Sequence, residues 1–123
     1  MAKNNEQSHT ESLLKTINGA IIDKKGGNLV NIDLGALDNA VASYFVVCHA
    51  NSDVQVYAIV NEILSRAKQK LNEMVYNKEG MDNAHWVLLD YVDVVVHIFQ
   101  PQYRSFYQLE NLWGDAPLLE ITE

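Results

Sequence analysis

One cysteine, two prolines and six glycines in 123 residues exclude several kinds of protein at once. A lone thiol, Cys48, cannot close a disulfide within the chain, so a disulfide-stapled scaffold is out and a reducing compartment is expected. No apolar run approaches the roughly 20 residues that a membrane helix needs. The opening "MAKNNEQSHT" lacks the apolar segment of a signal peptide, so the cytoplasm is the expected location. Glycine is also missing where a phosphate cradle would need it. No glycine-rich loop runs into a helix, and Gly26-Gly27 follows a helical pattern, where it reads as a stop signal. Repeats and low-complexity runs are absent, and the length suits one domain, 1–123, with an ordered core of about 10–117. The first eight or so residues and "PLLEITE" at the end are the expected loose segments.

Positive charge is scarce in one half of the chain. Residues 1–71 hold seven acids and seven bases, whereas residues 72–123 hold nine acids against only Lys78 and Arg104, so the whole net charge of -7 lies in the C-terminal part. Affinity for phosphates comes from clustered Lys and Arg, which disfavours direct nucleic-acid binding and favours a basic protein surface as partner.

What the chain does contain is periodic. A capping box, Ser8 with Glu11, opens a first helix whose apolar stripe is Leu13, Leu14, Ile17 and Ile21. "NLVNIDL" (28–34) and "SYFVVCH" (43–49) read as strands. Asn51, Ser52 and Asp53 cap a second helix with the clearest stripe of all: Val56, Ile59, Val60, Ile63, Leu64, Ala67 and Leu71. "EMVYN" (73–77) reads as a short strand. Residues 85–99 form a hairpin apolar on both alternating faces, with Val87 and Leu89 against Trp86 and Leu88, then Val94, Val96 and Ile98 against Val95 and Phe99. Such a sheet needs cover on both sides. The predicted fold is therefore a layered α/β domain, a mixed sheet of about five strands with helices on both faces, the last helix running from about Pro101 to Trp113. That helix carries Tyr103, Phe106, Tyr107, Leu109, Leu112 and Trp113, more aromatic surface than sealing one small sheet requires, part of it available as a protein-binding patch.

The candidates for chemistry are few. Cys48 and His49 are neighbours on a strand and point to opposite faces, which prevents a shared proton. His9, His49, His85 and His97 show no close metal-ligand spacing, and His97 within "VVVHIF" reads as a hydrogen-bonded core residue. Asp90 and Asp93 flank the hairpin turn. Two acids at a strand end can hold two divalent cations for nucleotidyl transfer, but the phosphate-handling parts are missing. By default they are solvated turn residues. No metal or cofactor is expected.

"WVLLDYVDVVVHIF" (86–99), followed by "RSFYQLENLWGDA" (104–116), closely resembles the ribosomal silencing factor family, RsfS, also called the Iojap family, and the match extends upstream through "ASYFVVCHANSDVQVYAIVNEI" (42–63). The resemblance covers roughly residues 11–117. It implies a fold related to nucleotidyltransferases without their catalytic equipment. It also implies a non-enzymatic factor that binds the large ribosomal subunit through its fourteenth protein, blocks joining with the small subunit and lowers translation when nutrients are scarce; a homodimer is one candidate for the free state, which the sequence does not fix. Carried over by position, the family's aromatic contact falls on Trp86 and its acidic hairpin turn on Asp90, Tyr91 and Asp93, with Glu79 on the same edge. This chain has Val92 where the family commonly has glycine, and a β-branched residue tolerates positive φ poorly, so a different turn is expected. It also has Val54 where the family tends to carry a basic residue. Two other readings of the same residues are a nucleotidyltransferase-type enzyme and a homodimeric adaptor for another basic protein.

Overall fold

The structure, a computed structural model, describes residues 2–35, 42–103 and 118–120. In chain order the elements are α1 (Ala2–Asp23), β1 (Gly27–Asp33), β2 (Tyr44–His49), α2 (Asp53–Leu71), β3 (Asn77–Glu79), β4 (Trp86–Asp90), β5 (Val94–Phe99), a 3-10 turn (Pro101–Tyr103) and β6 (Leu118–Glu120). The strands form one mixed sheet in the order β3-β4-β5-β2-β1-β6. Among the described residues, only the β2–β5 pair is parallel; the other pairs are antiparallel. The expected layered α/β domain is confirmed.

Alternation along the strands sorts the core in two. Val46 and Cys48 of β2, Val87 and Leu89 of β4, and Val94, Val96 and Ile98 of β5 share one cluster with Leu13, Ile17 and Ile21 of α1 and Val56, Ile59, Val60 and Ile63 of α2. Both described helices therefore lie on one face of the sheet. Each fully buried Ile or Leu there contributes about 1.5–3 kcal/mol relative to exposure. The opposite face carries a second cluster, Ile32, Phe45, Val47, Val95 and Phe99, with Trp86 and Leu88 packed against it. The helix expected over residues 101–113 lies, beyond Tyr103, outside the described residues.

Several boundaries differ from the sequence reading for identifiable reasons. The first helix starts at Ala2, so Ser8 lies within it and the capping box is not its start. It ends on Lys25 in the left-handed conformation (φ 66), with the Gly26 N–H donating to the Ile21 carbonyl and the Lys25 N–H to the Ile22 carbonyl, a Schellman closure. Gly26 serves close packing instead, because a Cβ there would come within 2.5 Å of Ile21 Cγ2. The strand expected at 73–77 pairs only over 77–79. Asn72 caps α2 at φ 53, and the chain needs the following residues to reach the sheet. The terminal "PLLEITE", expected loose, supplies β6, which pairs with β1 through Leu118, Leu119 and Glu120. That adds a sixth strand to the expected five.

Candidate interaction face

The five candidate residues divide by strand parity. On β4, Trp86, Leu88 and Asp90 point to the face away from the described helices, while Val87 and Leu89 point towards them. The β3–β4 register places Asn77 opposite Asp90 and Glu79 opposite Leu88. Directly paired residues share a face, so Glu79, Trp86 and Asp90 come together along the β3–β4 edge. Gly80 makes this edge narrow. Its φ is +80, and a Cβ would meet the Trp86 carbonyl oxygen at 2.0 Å, a space only glycine fits.

Tyr91 and Asp93 are turned to the helix side. Tyr91 is 5% exposed and belongs to the helix-side cluster. Its hydroxyl has no hydrogen-bond partner among the described residues, and burial, with Glu73 nearby, pushes its pKa up to about 12. Asp93 is exposed, and its Oδ2 accepts from the Thr10 hydroxyl of α1 at 3.4 Å. Asp90 instead uses Oδ1 to accept the Val92 N–H at 2.7 Å. The two acids are thus engaged on different elements and do not converge on one ion, which removes the geometry that two-metal catalysis needs. The turn itself keeps a positive φ. Val92 sits there at φ 76, in the region that a β-branched residue tolerates poorly.

Trp86 is half-buried and does more than line the edge. Its indole N–H donates to His97 Nδ1 at 3.1 Å, and the two rings stack with centroids 5.7 Å apart. His97 is 2% exposed and meets the Phe45 ring edge-on at 4.7 Å. A nitrogen that accepts from Trp86 carries no proton, so the neutral tautomer holds its hydrogen on Nε2, which has no partner among the described residues. Burial pushes the His97 pKa down to about 4, which keeps the ring neutral near pH 7. This Trp–His bridge across β4 and β5 was not found from sequence; the directly paired residues are Trp86–Phe99 and Leu88–His97, so the contact is diagonal.

Cys48 and His49 fall on opposite faces as expected. Cys48 is buried on the helix side with its thiol pushed up to about 12, and His49 packs on Phe99 at 4.6 Å. No helix among the described residues is long and apolar enough to cross a membrane.

These features define a layered α/β protein that gathers Glu79, Trp86 and Asp90 on one sheet edge, with its two hairpin acids divided between faces. The chain belongs to the ribosomal silencing factor family: the model for "Ribosomal silencing factor during starvation" matches residues 6–123. Among relatives, the ribosomal silencing factor RsfS of Bacillus subtilis (strain 168) is 45% identical over 111 residues, spanning 90% of this chain and 92% of that protein. A crystal structure from Bacillus halodurans superposes with a TM-score of 0.77 at 36% identity, covering 90% of this chain and 99% of that one. Another, from Chromobacterium violaceum, gives a TM-score of 0.77 at 31% identity and covers 85% of each chain. Family membership assigns the chain a regulatory role at the ribosome and not an enzymatic one.

Proposed function

We propose that this protein binds the large ribosomal subunit through its fourteenth protein, on the face that meets the small subunit, and represses translation by preventing the two subunits from joining. The observation that carries the reading is the convergence of Glu79, Trp86 and Asp90 on one sheet edge. An aromatic anchor with carboxylates around it suits a basic protein, because apolar burial supplies affinity while charge supplies orientation and association rate. Asp93 adds charge at the rim of the same turn, and Tyr91 supports the turn from beneath. The acidic balance of residues 72–123 carries the same sign over a wider surface. The protein acts in the cytoplasm, and the free form pairs with a second copy, which light scattering checks against the chain mass of 13.9 kDa.

Sedimentation through a sucrose gradient tests the proposal. The protein should travel with free large subunits and be scarce on joined ribosomes, and in a reconstituted system it should inhibit more when added before joining than after. Equal occupancy of both particles, or inhibition independent of order, would overturn the steric mechanism.

A further inference from the structure

Val92 is the turn residue that the proposed contact set leaves out, and its backbone is the most unusual at the hairpin tip. Its φ of 76 is combined with a hydrogen bond from the Asp93 N–H to the Tyr91 carbonyl at 3.0 Å, which closes a three-residue turn of the rare, strained kind around it. Positive φ at a β-branched residue is an outlier, and such strain persists only where the surroundings over-determine it. They do so here. Asp90 Oδ1 accepts the Val92 N–H at 2.7 Å, the Tyr91 N–H donates to the Val94 carbonyl at 2.9 Å, and the Asp93 carbonyl accepts from the N–H groups of Ser43 and Tyr44 at 2.8 and 3.1 Å.

What this arrangement holds out is an apolar side chain, 54% exposed. The segment before β3 runs beside it, tied by the Tyr76 N–H to the Asp90 carbonyl at 2.7 Å. That segment turns Val75 inward and leaves Met74 64% and Tyr76 77% exposed. Three of the four large exposed hydrophobic side chains among the described residues therefore lie at this end; the fourth is Val54. Asp90 and Asp93 flank Val92, while Glu73 pairs with His9 at 2.6 Å and Lys78 lies two residues beyond Tyr76, so the acids beside the tip itself face no base of its own turn. A second copy docking tip to tip would oppose these acids, whereas a basic surface would be complementary to them.

We infer that Val92, flanked by Met74 and Tyr76, is an apolar knob that seats in a hollow edged by Lys or Arg on a basic protein of the large ribosomal subunit. The inference rests on the function proposed above and adds to it a residue that sets fit at the same edge.

Val92→Gly separates this role from a structural one, because glycine accepts the positive φ while deleting the knob. The variant should melt about 2–4 °C above the parent as strain is relieved. Its affinity for purified large subunits should nevertheless fall about fivefold or more, mainly through faster dissociation, and Val92→Ile should retain parental affinity. A Val92→Gly protein that binds as tightly as the parent, while Trp86→Ala binds more weakly, overturns this inference alone. A lower melting temperature for Val92→Gly overturns the strain argument. If the parent itself fails to bind large subunits, the proposed function falls and this inference falls with it.

Discussion

Acidification should destabilise this protein through one buried ring. His97 has its Nδ1 filled by the Trp86 N–H and its surroundings made of Phe45, Val47 and Val95. Adding a proton to Nδ1 removes that acceptor and leaves a cation among apolar side chains, which is why the pKa falls from 6.5 to about 4. The unfolded chain takes up the proton first as pH drops, so this contribution to stability is complete above pH 6.5 and is lost between 6.5 and about 4. At 1.36 kcal/mol per pH unit the gap amounts to about 3 kcal/mol. For a domain of this size that corresponds to a fall in Tm of about 10 °C from His97 alone. Thermal melts at pH 7.5 and 4.5 should be run on the parent and on His97→Asn, whose amide oxygen can still accept from Trp86 but cannot titrate. Other groups contribute to both curves, so the difference between the proteins is the observable. The parent should lose more than the variant by about that amount, and two parallel pH profiles would refute the reasoning.

Trp86→Ala should cost about 2–3 kcal/mol of folding stability, below the roughly 3–5 kcal/mol of a fully buried aromatic, because the ring is half-buried; affinity for large subunits should fall about thirtyfold at temperatures where the variant is folded. Trp86→Phe keeps an aromatic ring but removes the donor to His97 and part of the indole packing, so a loss of about 1 kcal/mol or more in urea denaturation is expected. Asp90→Asn retains the side-chain oxygen that caps Val92, and Asp93→Lys gives up, among the described residues, the 3.4 Å contact with Thr10; stopped-flow association should slow for both, by a factor that shrinks as salt rises, since exposed charges are screened over about 8 Å at physiological ionic strength. A salt-independent effect would place these acids outside the interface. Gly80→Ala should lose about 2–4 kcal/mol by chemical denaturation, since it combines a positive φ with a collision on the Trp86 carbonyl.

The legible parts of the fold were those written in local periodicity. The second helix was readable from Ser52, whose hydroxyl does accept the Gln55 N–H at 3.1 Å, and from a stripe whose members Val56, Ile59, Val60, Ile63 and Ala67 are all buried. The β4–β5 hairpin was readable from apolar residues on both parities. Where the reading missed, the deciding contacts were non-local. Leu118–Glu120 is three residues long and becomes a strand only by pairing with β1, and Asn77–Glu79 is exposed throughout, so no burial pattern announces it. The site was half legible. Alternation alone could have separated Trp86 and Asp90 from Tyr91, since residues of opposite parity on one strand face opposite ways. That Glu79 joins them depends on the register of β3, which Gly80 and the pairing of Lys78 with Leu89 set in three dimensions.

The division of the two hairpin acids follows from the same geometry and explains why they suit contact better than catalysis. A catalytic carboxylate pair must aim both groups at one point, which requires them on one face or converging from two elements. Asp90 ends β4 on the face of Trp86 and spends one oxygen on the turn; Asp93 lies past the reversal, with its backbone carbonyl tied to Ser43 and Tyr44 and its carboxylate towards Thr10. Moving either side chain to meet the other would release the hydrogen bond that holds Val92 in its strained conformation or the contact with Thr10 of α1. The turn therefore spreads its negative charge around the tip, and on the proposed function that charge would attract a basic surface over many orientations while Val92 between the acids would select among them.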